Sequence, residues 1–172
     1  MNKSELTAQL ENCKNNWVLG LAAIHLLTSE QSQSILTNGY VTFGTYTVTF
    51  DQVLSLLANK SDRDIAIKEF TNMLLRSLVT GAFSVIKMYC LNTKQVVQLQ
   101  IQPWYKFARL IMDSLINNGV FLFSTLDDLP ITWHGKTITA NMDGQPLKLE
   151  FFGYVQAWEL FLDIQDFAQT LA

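Results

Sequence analysis

One row of polar side chains near the middle of the chain has the residue types and the spacing of a binding site. The row follows steps of three, four and four residues: Lys106, Arg109, Asp113 and Asn117. Residues at such steps stack along one surface of a helix. Two cationic groups beside a carboxylate and an amide can hold an anionic group, although a solvated helix face has the same composition. We call these four residues the polar row and expect them to line a cleft.

Other kinds of site find little support in the residue types. The chain has two histidines, His25 and His134, and no cysteine pair at metal-ligand spacing, so we expect no metal site, no cofactor and no catalytic residue of a known motif. Asp127-Asp128 is expected to be an acidic turn rather than a cation site. Three acids of the last helix are expected to be solvated, because no partner base is identifiable for them: Glu159, Asp163 and Asp166.

The polar row belongs to a segment whose opposite side is apolar at helical spacing. The pattern predicts a helix from Trp104 to Asn118 that ends at Asn118-Gly119. Pro103 is expected in its first turn, where a missing N–H is harmless. The side chains that should pack this helix onto a core are Trp104, Phe107, Ala108, Ile111, Leu115 and Ile116.

The residues before this helix predict three helices and a hairpin. The first helix, capped by Ser4, should begin at the surface and end buried near Leu27. Alternating residues between Tyr40 and Phe50 predict a β-hairpin with its turn near Gly44, one face packed and one face wet. A short helix should follow Asp51, and a long helix should run from Ser61 to about Leu91.

Two later segments complete the expected fold. The stretch Lys94–Gln102 reads equally as a strand or as a short helical turn. Residues 120–123, 131–140 and 147–149 predict a small antiparallel sheet, and Phe151–Leu171 predicts a closing helix packed through Val155, Trp158, Phe161 and Leu162. We therefore expect one α+β, mainly α domain over residues 1–172. It comprises a helical bundle at about 62–172, an N-terminal helix with a hairpin (about 40–50) in residues 1–60, and hairpins at about 120–150.

The composition indicates an interface. Hydrophobic residues make up 49% of the chain and charged residues 16%, against roughly 25% charged in an ordinary globular domain. A homodimer would remove the extra apolar surface from water, and an aggregation-prone monomer is the alternative. Residues 60–109 have eight basic and three acidic side chains, and residues 110–172 have two and eight. The basic middle indicates either a polyanion-binding face or pairing with the acidic end of the chain.

The sequence favours a cytoplasmic protein. It contains no apolar run of the roughly 18–20 residues that cross a bilayer, so we expect no membrane contact. The first 17 residues have acids and amides where a secretory signal has its apolar core. Cys13 and Cys90 lie among apolar residues at helical spacing and are expected to be reduced thiols of the core.

Four stretches follow in a characteristic order: the helix EFTNMLLRSLVTGAFSVIKMYC, the helix WYKFARLIMDSLINN, the hairpins TWHGKTITANMDGQPLKL and the helix FGYVQAWELFLDIQDFA. In element order and apolar pattern this part, about Asp62 to Ala172, resembles the HEPN superfamily (higher eukaryotes and prokaryotes nucleotide-binding). The resemblance implies a compact helical bundle that often dimerises. Many members are ribonucleases of toxin–antitoxin, defence or RNA-processing systems.

The resemblance also implies where catalytic residues should lie, and this chain departs from the pattern there. Active members have an arginine, often followed by asparagine, and a histidine four to six residues later. Those positions are Met112, Asp113 and Asn117 here, and counting from Arg109 instead finds no histidine. Methionine cannot stabilise an anionic transition state, and asparagine cannot transfer a proton at neutral pH. The motif therefore predicts that this mechanism of RNA cleavage is absent.

Three functional hypotheses follow. The first is a non-catalytic, dimeric, HEPN-like binding or regulatory protein of a defence or toxin–antitoxin type system. It would hold RNA or a protein at the polar row. The second is a ribonuclease or nucleotidyl-handling enzyme with a different residue set, such as His134 with Lys106 or Arg109. The third is a purely structural interaction subunit. The residues expected at a dimer contact or at the edge of the cleft are Arg76, Gly81, Lys87 and Met112.

Overall fold

The computed structural model describes residues 1–29, 34, 36–124 and 129–172 of the chain. These residues form six α-helices, two β-hairpins and a short 3-10 helix, so the predicted mainly α, α+β class is confirmed. The predicted acidic turn at Asp127-Asp128 lies outside the described residues. The helices are α1 (Lys3–Thr28), α2 (Asp51–Ala58), α3 (Lys60–Asn92), α4 (Val96–Gln100), α5 (Tyr105–Ile116) and α6 (Tyr154–Thr170). The strands are β1 (Tyr40–Phe43), β2 (Tyr46–Thr49), β3 (Ile131–Trp133) and β4 (Lys136–Ile138), and the 3-10 helix is Ala140–Met142.

The chain divides into two compact units. We call residues 1–15 and 75–172 the core unit, and residues 16–74 the hairpin unit. The core unit is discontinuous in sequence, because the first half of α1 joins elements that follow residue 75. Helices α1 and α3 therefore contribute residues to both units.

Helix α5 lies in the centre of the core unit, as its apolar pattern predicts. Trp104, Phe107, Ala108, Ile111 and Leu115 are buried, while Ile116 at the helix end is exposed. The Phe107 ring lies 4.9 Å from Trp133 of β3 and near the rings of Phe151 and Phe152. Because aromatic rings contribute large apolar areas, this cluster fixes α5 against β3 and the segment before α6.

Helix α6 packs through a different face from the one predicted. Val155 and Leu162, expected in the core, are exposed, whereas the predicted Phe161 is buried. Both sets of residues follow steps of three and four, so helical spacing alone could not choose between them. The buried face consists of Ala157, Leu160, Phe161, Ile164, Phe167 and Ala168.

The N-terminal half of α1 completes the core unit. Asn2, rather than the predicted Ser4, caps the helix, since its Oδ1 accepts a hydrogen bond from the Glu5 backbone N–H at 2.9 Å. Leu6 and Leu10 are buried. A Cβ atom on Gly81 of α3 would lie 3.1 Å from Cys13 Sγ, so the close helix approach predicted at Gly81 is made by α1 of the same chain.

The segment between α5 and α6 contains less strand than predicted. Hairpin β3–β4 is confirmed, with Ile131 opposite Ile138 and Trp133 opposite Lys136. Residues 120–123 and 147–149, predicted as strands, are connected only through an isolated bridge between Val120 and Pro146 and neighbouring backbone hydrogen bonds. Apolar runs of three or four residues are too short to fix a ladder without a neighbouring strand of matching length.

The hairpin unit contains β1 and β2, which form an antiparallel hairpin with its turn near Gly44, as predicted. All eight strand residues are exposed, so the prediction that one face packs was wrong. The second half of α1 was likewise predicted to be buried, yet Leu19 and Leu26 are exposed. Alternation in a sequence shows which face is apolar, but it does not show whether the same chain covers that face.

Two helices resolve open points of the sequence. The ambiguous stretch Lys94–Gln102 contains the short helix α4 rather than a strand. Helix α3 is capped by Asn59, whose Oδ1 accepts from the Ser61 N–H at 3.0 Å. By length and composition α3 is also the one helix of the described residues that could cross a bilayer, and half of its most apolar window is buried inside the protein.

Candidate functional site

The polar row lies on α5 and at its C-terminal end. Lys106 is exposed in the first turn, Arg109 and Asp113 are half-buried, and Asn117 is exposed just beyond the last helical residue. The Asn117 backbone N–H donates to the Asp113 carbonyl at 3.0 Å. The helix ends there because the next residue, Asn118, adopts a positive φ of 56°. The structure therefore brings the four predicted residues onto one side of one helix.

Arg109 is the unusual member of the row. Its Nε is buried and has no hydrogen-bond partner among the described residues. A guanidinium stays charged at any physiological pH, and a buried donor without a partner costs about 1–3 kcal/mol. Because Nε itself is closed to solvent, an anion would pair with the accessible part of the half-buried Arg109 side chain rather than with Nε.

The packing of α5 shows which side carries the row. Tyr105, four residues before Arg109, stacks on Phe83 of α3 with ring centroids 5.7 Å apart. Residues four apart are neighbours on a helix surface, so Arg109 lies on the side of α5 that Tyr105 turns towards α3. On α3, Arg76 and Lys87 are exposed, and Met112 of α5 is half-buried. The remaining predicted cleft residue, Gly81, is occupied in the contact with Cys13.

A second cluster of polar groups lies at the β3–β4 turn. His134 and Gly135 both have positive φ, 43° and 75°, as a two-residue hairpin turn requires. The His134 imidazole stacks on the Trp133 indole, with centroids 4.4 Å apart and planes 11° apart. Its Nδ1 lies 3.8 Å from Glu159 Oε2, and its Nε2 lies 3.6 Å from Asp163 Oδ2.

The carboxylates of this cluster are held in place by a neighbouring group. Trp133 Nε1–H donates a 2.7 Å hydrogen bond to Asp163 Oδ2. Glu159 and Asp163 are four residues apart on α6, so both face the turn. The cluster combines aromatic faces with two acidic groups, which attracts cations and repels phosphates. This environment is unfavourable for a histidine that acts on RNA, as the second hypothesis required.

Sequence reasoning missed this cluster for an identifiable reason. Glu159 and Asp163 were expected to be solvated because no partner was apparent, but the partner lies on a turn 25 residues earlier in the chain. The signal available was the pair of acids four residues apart together with Trp133-His134-Gly135, whose glycine is typical of a tight turn. Only packing of β3 and α6 in the same unit brings the two together.

Metal and thiol chemistry have little basis in the described residues. No group of three or more histidine, cysteine, aspartate or glutamate side chains there is arranged to hold a metal ion. Both cysteines are free, as predicted. Burial raises the pKa of the Cys90 thiol to about 11 and also raises the pKa of Cys13. Both thiols are therefore protonated and poor nucleophiles near neutral pH.

An apolar groove lies within the hairpin unit. It has a volume of about 250 Å³ and is lined by residues of α1, α2 and the start of α3. Arg63 is the only charged residue in its lining, and its Nε lies 3.7 Å from Asp64 Oδ1. The other lining residues are Ile24, Leu27, Val53, Leu56, Leu57, Ala66, Ile67 and Phe70.

Comparison with known proteins found no match for this chain. No protein-family model matches the chain, and no curated protein or solved structure shows significant similarity to it. The candidate sites therefore depend on the chain's own residues: the polar row of α5, the cluster at His134 and the apolar groove of the hairpin unit.

Proposed function

We propose that this protein is a non-catalytic binding protein whose polar row holds phosphate groups of RNA. The observation that carries the proposal is the half-buried cationic side chain of Arg109, which lies in one row with the exposed Lys106 and Asn117. Arginine is well suited to this role because its planar group presents several donors to a phosphate and remains charged. Lys106 and Asn117 supply further donors at the two ends of the row.

The charge distribution supports a polyanion as the ligand. Within the core unit, residues 75–109, which include part of α3, all of α4 and the first half of α5, have five basic and no acidic side chains. Arg76, Lys87 and Lys106 are exposed among them. A concentration of positive charge on neighbouring helices raises the local density of a nucleic acid and accelerates its association.

The residues at the positions where a related ribonuclease has its catalytic side chains support binding without catalysis. Met112 and Asn117 occupy the positions where the resemblance to HEPN ribonucleases requires arginine and histidine. The accessible histidine of the core unit, His134, faces Glu159 and Asp163 rather than a cationic group. An acidic environment repels the phosphodiester that a catalytic histidine would need to reach.

A binding assay with one matched control tests this function. Fluorescence anisotropy with a short single-stranded RNA should show binding that weakens as salt increases. Arg109→Gln should weaken it about tenfold, since a hydrogen bond to a charged group contributes about 1.5–3 kcal/mol. The slope of log affinity against log salt should fall by about 0.7. Lys148→Gln removes the same charge at an exposed position outside α5 and should have a much smaller effect.

Two results would overturn the proposal. One is the absence of RNA binding by the native protein at low salt. The other is an equal loss of affinity in Arg109→Gln and Lys148→Gln, which would indicate attraction to net charge alone. Degradation of the RNA during the assay would contradict the non-catalytic part and favour the enzyme hypothesis.

The proposal has a wider setting that the HEPN resemblance and the composition support. We place the protein in the cytoplasm, where free thiols persist, as a homodimer of a defence or toxin–antitoxin type system. The low charged fraction supports the dimer. Light scattering at micromolar concentration measures it, and a strict monomer contradicts it. A nuclease or nucleotidyltransferase gene beside that of this protein would support the setting.

A further inference from the structure

Asp113 is the member of the polar row that a phosphate does not account for. A carboxylate repels a phosphate, so the proposed function uses the other three residues of the row and leaves Asp113 without a role. Asp113 is half-buried, and its carboxylate forms no hydrogen bond or ion pair with another described residue. Both carboxylate oxygens are acceptors, so a ligand that brings hydrogen-bond donors to this point of the row would satisfy them.

Arg109 and Asp113 remain separate although their charges are opposite. Side chains four residues apart on a helix are neighbours and commonly pair when one is acidic and the other basic. No ion pair joins these two groups among the described residues. Their Cα atoms are about 6 Å apart along the helix axis. The row therefore offers a cationic group and an anionic group, one turn apart, to a ligand that has an anion at one end and donors at the other.

A guanine nucleotide has this combination of groups. Guanine alone among the four RNA bases presents two neighbouring donors on its base-pairing edge, the N1–H and the N2 amino group. Adenine and cytosine each present one amino group beside an acceptor, and uracil presents one N3–H between two carbonyl groups. A carboxylate accepts both guanine donors at once, and such charge-assisted pairs are strong. The third group of the guanine edge, the O6 acceptor, suits the amide of Asn117 one turn further on.

An exposed apolar side chain lies beside these two polar groups. Ile116 is three residues after Asp113 and therefore adjacent to it on the helix surface. Ile116 is 61% exposed, although the apolar pattern of α5 predicted it in the core. The half-buried Met112 lies four residues before it. Apolar side chains can support the face of an unstacked base while polar groups read its edge.

We propose that the polar row binds a guanine of single-stranded RNA. Asp113 accepts hydrogen bonds from the N1–H and the N2 amino group, Asn117 donates to O6, and Arg109 holds a neighbouring phosphate. This inference rests on the proposed function and names its specificity. The base-pairing edge of guanine is accessible only when the base is unpaired, so the ligand is a single strand rather than a duplex.

Base analogues in a short oligouridine test the reading of the guanine edge. Fluorescence anisotropy should show that one central guanine tightens binding about tenfold or more, as a bidentate base contact does. Inosine lacks the N2 amino group and should lose most of this gain. In 7-deazaguanine the base-pairing edge is intact and N7 is absent, so the gain should remain. Its loss would show that an arginine reads O6 and N7 instead, and would overturn the inference.

A protein variant with a matched control tests the role of Asp113. Asp113→Asn removes the charge with little change of shape, so it should abolish the preference for guanine and leave the binding of plain oligouridine intact. Asp166→Asn removes the same charge from an exposed position of α6 and should retain the preference. Far-ultraviolet dichroism verifies that both variants are folded, and the inosine comparison on the native protein needs no variant at all.

The inference and the proposed function fail separately. Equal affinities for the guanine and uridine strands, equal affinities for guanine and inosine, or a preference that persists in Asp113→Asn would each overturn the role of Asp113. If plain oligouridine still binds and Arg109→Gln weakens it, the proposed function stands without this specificity. If the native protein binds no RNA at low salt, the proposed function itself fails, and the inference fails with it.

Discussion

The core unit and the hairpin unit differ in how far their apolar side chains are buried. In the core unit, large side chains such as Phe107, Phe121 and Phe152 are almost completely buried. Among the described residues of the hairpin unit, Trp17 and Leu74 are the hydrophobic residues that are buried. Phe43 and Tyr46 are exposed to solvent. The core unit therefore buries most of its large apolar side chains, whereas the hairpin unit leaves much of its apolar surface exposed.

The elements between α1 and α3 in the hairpin unit are short. Helix α2 has 8 residues and strands β1 and β2 have 4 each. Isolated helices below about 12–15 residues and two-stranded hairpins are marginal in water. A region assembled from such elements gains much of its order from what it packs against, which makes it well suited to contact another molecule.

The strongest test of the comparison is the same substitution made in each unit. Phe107→Ala removes a buried ring that contacts three other rings, so it should lower the free energy of unfolding by about 3–5 kcal/mol. Phe43→Ala removes an exposed ring and should change the free energy of unfolding of the monomer by less than about 0.5 kcal/mol. Urea denaturation at low protein concentration measures both, and similar losses would remove the distinction between the units.

High pH should act on the core unit through its thiols. Burial raises the pKa of Cys90 from 9.0 to about 11, so between these values the unfolded chain loses a proton that the folded protein keeps. The contribution of this thiol to the free energy of unfolding should therefore be fully present below pH 9. It should fall by about 2 kcal/mol as pH rises to 11. The hairpin unit has no cysteine.

A comparison with Cys90→Ala isolates this effect from the other groups that titrate at high pH. The variant should lose less stability than the native protein between pH 9 and pH 11, as measured by urea denaturation at each pH. Identical pH profiles of the two proteins would show that the Cys90 thiol is not protected by burial.

Two helical glycines give a smaller test, one in each unit. Gly20→Ala would place a Cβ atom 2.4 Å from Leu74 Cδ1, so it should destabilise the protein by about 1–2 kcal/mol despite better helix propensity. Gly81→Ala would meet Cys13 Sγ at 3.1 Å. There the gain in helix propensity of about 1 kcal/mol should offset the contact. Thermal unfolding measures both, and a stabilised Gly20→Ala would show that Leu74 moves freely.

The sequence predicts the elements better than their surroundings. Helix α5 and the β1–β2 pairing follow from local spacing and turn residues, and both are confirmed. The prediction for the buried face of α6 was wrong because Val155, Trp158 and Leu162 follow the same spacing as Ala157, Leu160 and Ile164. Only the neighbouring elements decide between the two sets. The exposure of Phe43 could not be predicted, since alternation does not show what covers a face.

The candidate sites show the same limit. The polar row was predicted because its residues are close in sequence on one helix. The contact of His134 with Glu159 and Asp163 depends on the packing of β3 beside α6. The missing partner of Arg109 Nε is a property of the packed structure, because the sequence shows the charge of a side chain but not which of its atoms is buried.

The discontinuity of the core unit has a consequence for folding. Residues 1–15 cannot complete their unit until residues 75–172 have been made, and Gln165 of α6 reaches back to Glu11 across 154 positions with a 3.0 Å hydrogen bond. Closing so long a loop slows folding. The hairpin unit, continuous from 16 to 74, leaves the ribosome first with its apolar surface open. Its exposed apolar side chains are therefore in water while the core unit is still incomplete.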